Sequence, residues 1–135
     1  MKKLGFSFIL SLVAMAILGF TACGDSKQKQ LEILAQYLNA TCPKTYEQMF
    51  RLDKHEALPD FVLKFSITII GVDKEILDMI DDNIVNTMKQ QMLARVQGDD
   101  KFTEVKKFGA TFLFSFNDEA GENLFEITIT PEEYK

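Results

Sequence analysis

Two periods of apolar and polar residues alternate along this chain, and each change of period marks an element. From Ser26 onward Leu31, Leu34, Ala35 and Leu38 recur at helical spacing, which predicts an amphipathic helix capped by Asp25 or Ser26. Pro43 stops it, because proline lacks the donor and clashes with the preceding turn. Tyr46 to Asp53 reads as a strand and residues 54–60 as a charged turn. Phe61 to Ile70 then alternates with period two: Leu63, Phe65, Ile67 and Ile69 face one way, Lys64, Ser66 and Thr68 the other, as in a half-buried strand.

Asp73 introduces the longest helical pattern, about Lys74 to Gln97, with Gly98 beyond its end. Its stripe of Ile76, Ile80, Ile84, Met88, Met92 and Val96 predicts the main core helix, covered by a sheet or another helix. A weak helical turn from Asp99 to about Lys107 follows. Gly109 then opens a strand with Phe112, Phe114 and Phe116 on one face, and these three phenylalanines are expected to dominate the second half of the core. Residues 117–122 form a hairpin loop with Gly121 placed for positive φ, and Phe125, Ile127 and Ile129 define a last strand ended by Pro131. The expected fold is α+β: an antiparallel sheet of about four strands, in two hairpins, packed on one long helix with an additional N-terminal helix.

Upstream of all this, Lys2 and Lys3 precede an apolar run from Leu4 to Phe20, in the order of a secretory signal peptide. A spanning helix needs about 20 apolar residues, and this run is shorter and broken by Gly5, Ser7, Ser11 and Gly19. The expected organisation is therefore a signal peptide over 1–22, a tether over 23–26 and a single α+β domain over 27–135.

Composition narrows the function. Without Lys2 and Lys3, 13 basic and 20 acidic side chains remain, a net charge of −7. Such a chain is a poor nucleic-acid binder, and its charge alone would not hold it on an anionic bilayer.

Few residues can do chemistry. His55 is the single histidine, read here as solvated in its charged turn and remote from any ligand partner, so neither a metal centre nor a Cys–His pair with Cys42 is expected. Cys42 can be buried, free or paired between chains, and burial beside Pro43 is the preferred reading. Asp78, Asp81 and Asp82, three and four residues apart, could bind calcium or act as acid and base, but suit a solvated helix face near its positive N-terminal end. Residues 117–122 are too short for an EF-hand calcium loop. Met79, Met88 and Met92 either fill a core or line an adaptable groove, the former being commoner.

Thr21-Ala22-Cys23 resembles the lipobox of bacterial lipoproteins, with Phe20 where leucine is usual. The resemblance implies cleavage before Cys23 and diacylation of its sulfur; Gly24-Asp25-Ser26 then implies an outer-membrane lipoprotein facing the periplasm. The downstream region resembles a family of small exported bacterial proteins through Leu38-Asn39 with Pro43, Gly109 to Phe116, and Ile127-Thr128-Ile129-Thr130. That resemblance implies the fold and assigns no activity to any residue.

The chain is thus expected to be a membrane-anchored, non-catalytic envelope lipoprotein, lipidated on Cys23 and without cofactor, that binds another envelope protein through a sheet edge or an open sheet face. The competing expectation is a small apolar-ligand-binding module with a phenylalanine-lined pocket between sheet and long helix. An enzyme would have to rely on carboxylates such as Asp78 and Asp82.

Overall fold

The computed structural model describes residues 26–135. The signal-peptide reading, the lipidation of Cys23 and a cap at Asp25 lie outside those residues. Helix α1 covers 26–39 and is followed by β1 (Lys44–Tyr46), β2 (Phe50–Leu58) and β3 (Val62–Ile69). After them come α2 (Lys74–Leu77), α3 (Asp82–Gly98), a 3-10 turn (Asp100–Phe102), α4 (Thr103–Lys107), β4 (Thr111–Asn117), β5 (Asn123–Ile129) and α5 (Pro131–Tyr134).

The five strands form one sheet in sequential order, β1-β2-β3-β4-β5. It is mixed, whereas a purely antiparallel sheet of about four strands was expected. β3 and β4 run parallel, from Val62 opposite Thr111 to Thr68 opposite Asn117. The helical connection between them carries the chain back to the end of the sheet where β3 began, which a hairpin cannot do. The other three pairings are antiparallel.

The expected strand over 46–53 is two strands. The chain reverses through Glu47 and Gln48, both at positive φ (53° and 61°), with the Met49 N–H donating to the Tyr46 carbonyl at 3.2 Å. Two positive φ values are the signature of a type I′ turn, which asparagine and glycine usually announce; neither occurs here. Nor are residues 54–60 a turn. β2 continues to Leu58 through a bulge, for Leu52 pairs with Ile67 but Lys54 with Ser66, leaving Asp53 as the extra residue. Because side chains alternate, one extra residue inverts which ones face inward. His55 and Ala57 thereby join Phe50 and Leu52 on the apolar face, opposite Phe65 and Leu63.

That face is the core, where Leu63, Phe112, Phe116, Ile127 and Ile129 are all but fully buried. Leu31, Ala35 and Leu38 of α1 pack into the same cluster, as their spacing predicts. Tyr134 of α5 closes one end, its ring edge-on to Phe112 and its hydroxyl donating to the Ala110 carbonyl at 2.7 Å. α1 also guards the edge of β2 beyond the point where β1 ends. Asn39 accepts from the His55 N–H (2.6 Å) and donates to the His55 carbonyl (2.8 Å); Gln28 donates to the Leu58 carbonyl (2.9 Å). Eleven residues apart, about three turns, these two amides share one side of the helix and occupy backbone groups of an otherwise open edge.

The long helix is where the reading fails most. The pattern over 74–97 breaks at 78–81, where the backbone tightens into i→i+3 bonds and Asp81 starts a new helix by accepting from the Ile84 N–H at 3.0 Å. Of the stripe only Val96 is buried, while Ile76 (56%) and Ile84 (43%) stand exposed. α3 is therefore a partial cover, not the main core helix. Replacing Phe112 by alanine should cost about 3–5 kcal/mol, whereas Ile84→Ser should change stability by no more than about 0.5 kcal/mol. Urea unfolding of the two variants checks this, and a large Ile84 effect would mean that α3 packs tightly.

Candidate functional site

A helix that covers a sheet incompletely leaves a space, and here it is a cavity of about 300 Å³ between α3 and the apolar sheet face. Phe50 and Leu52 of β2, Phe65 and Ile67 of β3, and Phe114 and Phe116 of β4 form its floor. Met88, Met92 and Val96 of α3 form its roof, while Leu38 and Phe102 line it from α1 and the 3-10 turn. The floor is rigid. Phe65 stacks on Phe114 at 4.5 Å between ring centroids and meets Phe102 edge-on at 5.8 Å, and Phe116 lies stacked between β4 and β5 against Phe125 at 4.7 Å. The roof contains two unbranched methionines that can follow the shape of a guest. Charges of both signs stand at the rim: Lys44, Arg95 and Lys101 against Glu47 and Asp99.

His55 lines this cavity and is only 5% exposed, so the reading of a solvated histidine in a turn is wrong. The Asp53 bulge is the reason. Its ring lies edge-on to Phe65 at 4.8 Å, and its Nδ1 stands 3.6 Å from the Cys42 Sγ and 3.3 Å from the Asn39 Oδ1. The expectation that His55 and Cys42 stay apart fails for the same reason. Both of these side-chain contacts of the ring are made through Nδ1.

Proximity does not make this pair a nucleophile. Burial, and secondarily Lys101, push the His55 pKa down from its ordinary 6.5 to about 4. Burial, and secondarily Asp53, push the Cys42 thiol up. A thiolate–imidazolium pair needs the opposite shifts. At neutral pH the imidazole is uncharged and the proton stays on sulfur, so the contact ties the end of α1 to β2. Cys42 is a free thiol, half-buried.

The other candidates fall elsewhere. Asp78 ends α2, Asp81 caps α3 and Asp82 occupies its first turn, all exposed and away from the cavity. Met88 and Met92 reach the groove, whereas Met79 is 72% exposed. Residues 117–122 make the expected hairpin, with Gly121 at φ 87°. No group of three or more metal-ligating side chains occurs among the described residues.

A mixed five-stranded sheet with helices against one face defines the structural class. No protein-family model matches the chain, and no curated protein matches it in sequence. Solved structures do share its fold. A Pseudomonas aeruginosa protein described as secreted superposes with a TM-score of 0.69 at 12% identity, over 82% of this chain and 94% of that one. The pilotin EpsS of the Vibrio vulnificus type 2 secretion system gives 0.59 at 12% identity, over 82% and 97%. The type II secretion system pilotin AspS of Vibrio cholerae gives 0.56 at 13% identity, over 83% and 98%. At these identities the likeness is one of fold.

The histidine gives this site a pH signature. Its folded pKa lies below the unfolded one, so the unfolded chain binds the extra proton between about pH 6.5 and 4, and the stability present above pH 6.5 is lost as pH falls through that window. The loss should approach about 3 kcal/mol at pH 4. Unfolding midpoints from pH 7 to 4 should fall more steeply for the wild type than for His55→Gln; parallel curves would contradict a buried neutral imidazole.

Proposed function

We propose that this chain is an exported envelope lipoprotein, anchored through lipid on Cys23 in the outer membrane and facing the periplasm. Its domain receives an apolar segment of a partner protein in the α3 groove. The observation that carries this reading is the open aromatic groove beneath α3. An unfilled apolar cleft gains by burying a guest's apolar surface, at roughly 25 cal/mol per Å², and the methionine roof adapts to irregular side chains. Apolar exposure continues a turn beyond Met88 of the groove to Ile84 of α3, and Ile76 and Met79 in the segment before that helix are exposed as well. A path of that length suits a chain segment more than a compact ligand. The fold is also that of two type 2 secretion system pilotins.

A second reading, a small apolar ligand in the same space, is favoured by His55, a buried polar side chain in the lining of an otherwise apolar floor. Native mass spectrometry of protein extracted from the envelope separates the two, because a retained small molecule adds a discrete mass.

Photo-crosslinking tests the leading reading. A crosslinker at Gln91, exposed at the groove, should capture one discrete envelope protein; the same group at Glu126 on β5 should not, and Met88→Glu with Met92→Glu should abolish capture while the domain stays folded. Identical products from both positions would defeat the proposal. Lipidation is tested apart from this by feeding cells a clickable fatty acid: the chain should be labelled and Cys23→Ala should not.

A further inference from the structure

A second surface lies at the opposite end of α1. Gln28 clamps the β2–β3 turn there, donating to the Leu58 carbonyl and accepting from the Phe61 N–H at 3.2 Å. Asp60 and Phe61 in that turn both have positive φ (64° and 60°), a backbone state that costs energy in residues with side chains and that the clamp holds in place. The Phe61 carbonyl in turn accepts from the Thr111 N–H at 3.0 Å, fixing the start of β4 beside it. The result is a shallow depression formed by Lys27, Pro59, Asp60, Phe61 and Phe108. Phe108 is 38% exposed, and the Lys27 ammonium stands 5.2 Å from its ring centroid. An exposed aromatic ring beside a long cationic side chain is the pairing found where proteins meet the headgroup layer, the ring entering the apolar boundary and the lysine reaching back to phosphate.

The position of Cys23 decides what covers this end. Only Gly24, Asp25 and Ser26 separate it from Lys27, so the two are at most about 14 Å apart with the chain fully extended. The groove lies at the other end of α1, where Leu38 and Thr41 line it, about 17 Å further along the helix axis. We infer that Phe108 and Lys27 form a bilayer-contacting surface, which seats the domain on the membrane that carries its lipid and leaves the groove at the far end of α1. This rests on lipidation of Cys23. The occupant is the bilayer and not a soluble partner, because a surface within reach of the acyl anchor is the part of the domain most confined to the headgroup layer. With Asp60 beside Lys27 and an acidic chain overall, the contact depends on the ring and the anchor more than on charge.

The chain contains no tryptophan, so a single introduced one is a clean reporter. Lipidated Phe108→Trp protein, its acylation verified by intact mass, is reconstituted into phosphatidylethanolamine–phosphatidylglycerol vesicles with or without lipids brominated near the headgroup. Its emission should shift to the blue and be quenched several-fold more strongly than that of Ile84→Trp, at the exposed start of α3. The unlipidated Cys23→Ala, Phe108→Trp form should show neither effect. Equal quenching at both positions, or none at position 108 in a verified lipidated chain, overturns the surface alone. A chain that carries no lipid overturns the anchor and this surface together. Lys27→Glu in the Phe108→Trp background is the second variant: it leaves the core untouched and should reduce the quenching, and unchanged quenching removes Lys27 from the surface.

Discussion

A sheet face bearing Phe50, Phe65, Phe112, Phe114 and Phe116 has to be covered, and the helices among the described residues do not cover it all. α1 takes the β2 side, where its leucines enter the core and its two amides occupy the strand edge. α5 and the 3-10 turn take the end around Phe112. What is left, the ground above Phe50, Phe65, Phe114 and Phe116, falls to α3, which buries only Val96. Interiors are ordinarily packed without voids larger than a water molecule, so a groove of this size over so rigid a floor is a departure. The helix above it buries only Val96 fully and meets the core otherwise through half-buried side chains such as Val85, Met88, Met92 and Leu93. Floor and roof therefore differ in character, one fixed by stacked rings and the other free to adjust.

How much of this can be read from the residues depends on whether local pattern or long-range pairing decides each element. α1, β3, β4 and β5 are legible because an unbroken period of 3.6 or 2 runs through each one, and Gly121 marks its hairpin without ambiguity. β1 and β2 are not, because the reversal at Glu47-Gln48 uses residues that seldom adopt positive φ and because the bulge at Asp53 breaks the alternation. A reader following period two across that point puts Lys54 inward and His55 outward. The helical pattern over 74–97 is legible as helix but misleading about burial, since periodicity says which residues share a side and nothing about whether a neighbour reaches that side. The parallel pairing of β3 with β4 could be deduced from the long helical connection between them, a rule of topology rather than of side chains.

The groove was legible in part, as a phenylalanine-lined space beneath a methionine-bearing helix, but the histidine in its lining was not. His55 reaches it only because Asp53 is extra in β2 and Asn39 fastens the backbone at that point. The same two facts bring Cys42 against the imidazole. Catalytic cysteine–histidine pairs arise where surroundings favour charge separation, whereas this pair sits where burial opposes charge on both partners. A geometric resemblance to a nucleophilic pair is thus cancelled by the medium, and the contact becomes a latch between α1 and the sheet.

α1 joins the two ends of the molecule, and its polarity gives the fold a direction. Its first turn grips the β2–β3 turn beside Phe61, and its last turn supplies Leu38 to the groove and Asn39 to β2. A helix is a stiff spacer at about 1.5 Å per residue, so whatever holds its start also fixes the height of its end. If an acyl anchor four residues upstream of Lys27 sets the first, the groove is held clear of the headgroups by the rest. A flexible linker between anchor and domain would make the groove sample every direction, bilayer included. A short tether leading straight into a packed helix would restrict that freedom, and an anchor on Cys23 would thereby tie the start of the chain to the accessibility of a cavity that both halves of the chain line.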